Sequence, residues 1–161
     1  MTDLIALLRD FHGEKITMLM RHHAAARGIG QYDANNTYQY IVNREEAHLS
    51  WIANALAELG SPVPDAADAP PPAAGSGADA SRALFAEDAR EAQAFVDRWR
   101  PRVEAMTNAR HAGMLRVILG ETLEQKRFFD QALAGQLDLL GRRGEAAGAR
   151  VGSVMAERWI E

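Results

Sequence analysis

Apolar residues recur every three or four positions through four long stretches of the chain, the spacing of one buried helix face, and no convincing strand pattern accompanies them. The first stretch runs from about Asp3 to Ala26, with its stripe at Leu4, Leu7, Phe11, Met18 and Ala25. "RGIGQYD" follows, and its glycines favour helix termination. The second runs from about Ala34 to Leu59 and stops at Gly60. The third begins near Ser81, a candidate N-cap, and carries Leu84, Phe95, Trp99 and Met106. Pro101 falls inside it and predicts a kink or an end. "MTNARHAG" predicts a turn, with Thr107 or Asn108 capping a fourth helix that runs to about Leu140 through Met114, Ile118, Phe128 and Leu133.

Residues 61–81, "SPVPDAADAPPPAAGSGADAS", are too rich in Pro, Gly and Asp for a helix or a central strand. Neither flanking helix pair can bury its stripe alone, so a linker between two domains is disfavoured. At roughly 3.3 Å per residue, about 20 residues can span a helix of about 26 residues, near 39 Å long. The pattern therefore predicts an all-α four-helix bundle over residues 1–140, with 61–81 as a long crossover between the second and third helices. Residues 141–161 form a C-terminal tail, in which "SVMAERWIE" reads as a short amphipathic segment suited to docking or to a contact between subunits.

Composition narrows the function. A net charge of −4 and the lack of any patch of interleaved basic and aromatic residues argue against nucleic acid as a partner. No run of about 18 apolar residues exists, so no membrane span is expected. The opening "MTDLIALLRDFHGEK" reads as helix rather than leader, so a cytoplasmic location is expected. Cysteine is absent, which excludes disulfides, thiolate metal sites and cysteine nucleophiles.

The informative chemistry lies in the stripes. The first helix reads Leu7, Phe11, Glu14, Met18 in steps of four, three and four; the second reads Ile41, Glu45, His48, Ile52. The third reads Leu84, Asp88, Glu91, Phe95, and the fourth Met114 or Val117, then Glu121, Glu124, Phe128. Each helix thus offers a carboxylate near mid-length on a face expected to pack inward. An unpaired buried carboxylate costs several kcal/mol, a cost that falls away if the acids surround cations. Glu45-x-x-His48 adds an oxygen and a nitrogen ligand one turn apart, a spacing that lets the carboxylate bridge two metals while the imidazole binds one. His22 and His23 read as surface or supporting groups, His111 as remote from this level, Tyr38 as core, and Trp51 and Trp99 as packing residues.

These motifs resemble the ferritin-like superfamily of di-iron carboxylate proteins, which includes rubrerythrins and bacterioferritins. The resemblance covers roughly residues 3–140. In that family the first and third helices each give an acid, the second and fourth each give Glu-x-x-His, and the second-to-third connection is a long crossover. The resemblance implies that Glu14 is the first-helix acid, Glu45 and His48 the second-helix motif, Asp88 or Glu91 the third-helix acid, and Glu121 the fourth-helix glutamate. This chain departs from the family at Glu124, which stands where the fourth-helix histidine belongs; a register using Glu124 and Arg127 would put a cation there instead. The implied cofactor is two Fe, or Mn/Fe, and the implied activity is oxidoreductase chemistry with oxygen or peroxide in a homodimer. The Glu124 departure keeps a second reading open, a bundle with a degenerate site acting as an assembly or interaction module.

Overall fold

The computed structural model describes residues 2–64, 77–136 and 139. It contains four α-helices: α1 (Thr2–Gly28), α2 (Tyr32–Glu58), α3 (Ala78–Glu104) and α4 (Ala109–Leu133). There is no strand among the described residues, and no helix among them is long and apolar enough to cross a membrane. The predicted tail, 141–161, and most of the predicted crossover lie outside the described residues.

Local chemistry accounts for the helix ends. Gln31, in an extended conformation, caps α2 by accepting from the Ala34 N–H, and Asn35 Nδ2 donates to the Ala26 carbonyl, stapling the α1–α2 turn. α2 stops where predicted. Gly60 takes φ 71°, its N–H bonds the Ala57 carbonyl, and the Ser61 N–H bonds the Leu56 carbonyl. This is the glycine-terminated end that only a residue tolerant of positive φ makes cheaply. The same arrangement at Gly135, φ 90°, ends α4 at Leu133 and not near Leu140. Of the two candidates, Thr107 and Asn108, it is Asn108 that caps α4, its side chain accepting from the His111 N–H. α3 begins earlier than expected, after Gly77, so Ser81 sits in the first turn and donates back to the Gly77 carbonyl. Pro101 neither ends nor starts this helix; it lies in the last turn, and the Ala105 N–H closes onto its carbonyl.

Ion pairs fix the directions. Short turns make α1–α2 and α3–α4 antiparallel hairpins. Arg21–Asp88, Glu14–Arg98 and Asp10–Arg102 set α1 antiparallel to α3. Arg44–Glu121 and Arg110–Glu58 set α2 antiparallel to α4. The helices therefore ring in the order α1, α2, α4, α3, and the diagonal pairs α1/α4 and α2/α3 run parallel.

The core has two apolar halves. One holds Leu8, Phe11, Ile52, Leu56, Trp99, Leu115 and Ile118. The other holds Ala25, Tyr38, Ile41, Phe85, Phe128 and Phe129. Each large apolar side chain so buried contributes about 1.5–3 kcal/mol. Trp99 is fully buried, as predicted, whereas Trp51 is 36% exposed and stacks near the Arg44 guanidinium. Along α2 and α4 the two halves are separated by polar residues, and that layer is where the chemistry concentrates.

Candidate functional site

The polar layer contains Lys15, His22, Glu45, His48, Asp88, Thr122 and Gln125, each no more than 3% exposed. Lys15 Nζ donates to Glu45 Oε1 at 2.7 Å and reaches Thr122 Oγ1 at 3.5 Å. His22 Nδ1 lies 2.7 Å from Glu45 Oε2. An ionised carboxylate only accepts, so this nitrogen carries its proton. Asp88 accepts from Arg21 at 2.8 Å and from the Tyr38 hydroxyl at 2.6 Å. Glu121 receives a two-pronged Arg44 contact, at 2.9 and 2.7 Å, and His48 Nε2 at 2.8 Å.

The seven sequence-predicted residues divide. Glu45, His48 and Asp88 are buried in the layer, and Glu121 borders it at 31% side-chain exposure. Glu14, Glu91 and Glu124 are not drawn in with them. Glu14 is half-exposed and paired with Arg98, Glu91 lies beside Arg21 and Arg90, and Glu124 pairs with Arg127. The reason is register. On α1 the inward line passes through Leu8, Phe11, Lys15, Met18 and His22; on α4 it passes through Ile118, Thr122, Gln125 and Phe129. The positions expected to hold Glu14, Glu121 and Glu124 are filled, one residue along, by Lys15, Thr122 and Gln125. His22, expected at the surface or as a supporting group, is buried against Glu45. His23 is exposed beside Glu46, and His111 is buried in the first turn of α4.

Charge closes within this network. Glu45, Asp88 and Glu121 face Lys15, Arg21 and Arg44. Burial alone would raise the Glu45 pKa, but the charges and hydrogen bonds of His22 and Lys15 outweigh it and bring the group down to about 2. Arg44 holds Glu121 below the usual carboxylate range against the effect of burial, with help from His48. Burial pushes the His48 pKa down, Lys15 adds to that, and Glu121 works the other way. Burial also lowers His12. Burial and the Asp88 carboxylate push the Tyr38 hydroxyl well above the ordinary tyrosine range.

These directions predict two acid limbs in stability. A histidine whose folded pKa lies below its unfolded value binds protons more tightly when unfolded, so stability falls as pH drops below about 6.5. Glu45, with its folded pKa near 2 against an ordinary 4.5, contributes stability present above 4.5 and lost as pH falls toward 2. Unfolding free energy measured by urea titration from pH 8 to 3 should show both limbs. Replacing His12 and His48 by Gln should remove the first and leave the second. A flat profile between pH 7 and 5 would contradict the assignment.

A metal pair fits this donor set poorly. The three carboxylates are committed to internal cations, an ammonium lies at the centre, and the fourth helix supplies a hydroxyl and an amide at the inward positions. His48 Nδ1 and both ends of the Gln125 amide have no hydrogen-bond partner, yet they supply too few donors for two ions. Among the described residues, no group of three or more His, Asp or Glu side chains is placed to hold a metal ion. Comparison with protein-family models, with curated proteins and with solved structures finds no match.

Proposed function

We propose that this chain is a ferritin-like bundle in which a lysine takes the place of metal charge, so that it serves as a non-catalytic assembly or interaction module. One observation carries the reading: the Lys15 ammonium, fully buried, bonds Glu45 at 2.7 Å at the level where Glu45-x-x-His48 faces the interior. A single side chain there delivers a positive charge that needs no uptake, no oxidation and no release. The parallel run of α2 and α3 supports the ferritin-like part. Thr122-x-x-Gln125 repeats the spacing of Glu45-x-x-His48 on the facing helix, with an alcohol and an amide in place of acid and imidazole.

The test is metal content per chain, by elemental analysis, on tag-free protein expressed with added iron and again with added manganese. The expected result is essentially none under both conditions. About two ions per chain, lost in Glu45→Ala, would overturn the proposal and restore a redox reading with oxygen or peroxide.

A further inference from the structure

We infer that residues 151–161 dock into a groove at the end of the bundle where α2 and α3 begin, as a segment of the same chain. The groove encloses about 580 Å³ between the α1–α2 turn, the first turns of α3 and the end of α4. Small residues line it, among them Gly30, Ala34, Ala78 and Ala132, with Phe85 beneath and Arg82 at the rim. Its inner wall is the second apolar core half, which includes Ala34, Phe85 and Ala132. Small walls over an aromatic floor leave room for large side chains brought from elsewhere.

The chain arrives at this place. α4 ends at Leu133 beside the groove, and Leu139 packs against the same core half. Residues 140–150 then precede Val151, and at roughly 3.3 Å each they reach any point on this end of the bundle. Val151, Val154, Met155 and Trp159 recur at three- and four-residue steps, which gathers them into one helical stripe with two large side chains. Charge matches as well. Arg82, exposed and bonded to the Leu133 carbonyl, and Asp79 line the groove, while the segment carries Glu157 and Arg158. A tether this short holds the segment at an effective concentration of about millimolar, which favours the chain's own groove over a second copy's. The inference is independent of what the polar layer binds.

The cysteine-free sequence makes the test clean. In the full chain, Ala78→Cys, an exposed position on the groove, is paired in turn with Val151→Cys, Met155→Cys and Trp159→Cys, and each protein is oxidised at micromolar concentration. At least one pair should close within the chain, giving a product of monomer mass. Gly30 lines this groove and a Cβ added there meets nothing within 4 Å, so Gly30→Trp sets a bulky side chain at the groove without a clash. It should cut that product by about tenfold, the loss expected when one large apolar side chain is displaced. Products of dimer mass alone would assign the groove to a second copy and overturn the inference. So would the absence of product from all three pairs, or a yield unaffected by Gly30→Trp.

Discussion

Replacing Lys15 by Met should cost about 3–5 kcal/mol, because it leaves the Glu45 carboxylate buried without its ammonium. Glu45→Met should cost a similar amount, since it strands Lys15 and removes the acceptor for His22 Nδ1. For a chain of this size that is a fall in Tm of roughly 10 °C. The double replacement should be far less harmful than the sum. Once both charges are gone, the unfavourable transfer of an unpaired ion disappears, and two flexible apolar side chains fill similar volume. Recovery should stop short of complete, as His22 Nδ1 loses its acceptor and Asp88 lies 4.0 Å from the other ring nitrogen. Thermal and urea unfolding of the four proteins forms a double-mutant cycle. A double variant destabilised by the sum of the single losses would show that Lys15 and Glu45 are not coupled, and would remove the basis of the functional proposal.

The second large effect runs in the opposite direction. Lys15→Glu, Thr122→Glu and Gln125→His together would give the inward line an acid on α1 and Glu-x-x-His on both α2 and α4, with Asp88 on α3. This triple variant should take up about two ferrous or manganous ions per chain, the donor count of a di-metal carboxylate bundle. Without metal it should be markedly destabilised by unpaired buried acids, and metal should restore it, so that its Tm becomes dependent on metal concentration. The parent chain should show no such dependence. A folded triple variant that binds nothing, with a Tm indifferent to iron and manganese, would mean that this level of the bundle lacks the ferritin-like geometry.

Much of this arrangement was legible in the sequence. The four helices, the stop at Gly60, the Asn108 cap and the inward placement of Glu45 and His48 follow from periodicity and end chemistry. The register of α1 and α4 did not follow, for a geometric reason. Residues 14 and 15 lie roughly 60° and 40° to either side of the line through Phe11, so both satisfy a step of three or four. Reading for acids selects Glu14. Packing selects Lys15, because Glu45 and Thr122 from two other helices solvate its ammonium, and no single-helix pattern contains that information. The same ambiguity separates Glu121 from Thr122 and Glu124 from Gln125. At Asp88 and Glu91 the tie breaks through Tyr38 and Arg21, which reach only Asp88 at hydrogen-bonding distance. A usable signal was present. Shifting the stripe by one residue puts Lys15, His22, Thr122 and Gln125 on a single level with Glu45, a set that is polar but internally complementary.

The order of the helices around the bundle also bears on how the chain folds. Each hairpin closes over a short turn, whereas the side-chain hydrogen bonds between hairpins join residues 50 to 107 positions apart, as in Tyr38–Asp88 and Lys15–Thr122. Apolar side chains such as Phe11 and Trp99 meet across the same boundary, and the buried polar bonds lie between the two apolar halves. The two halves therefore resemble the subunits of a tethered dimer: each hairpin has its partner helix close at hand, and joining the halves must strip water from apolar stripes and from the polar layer together.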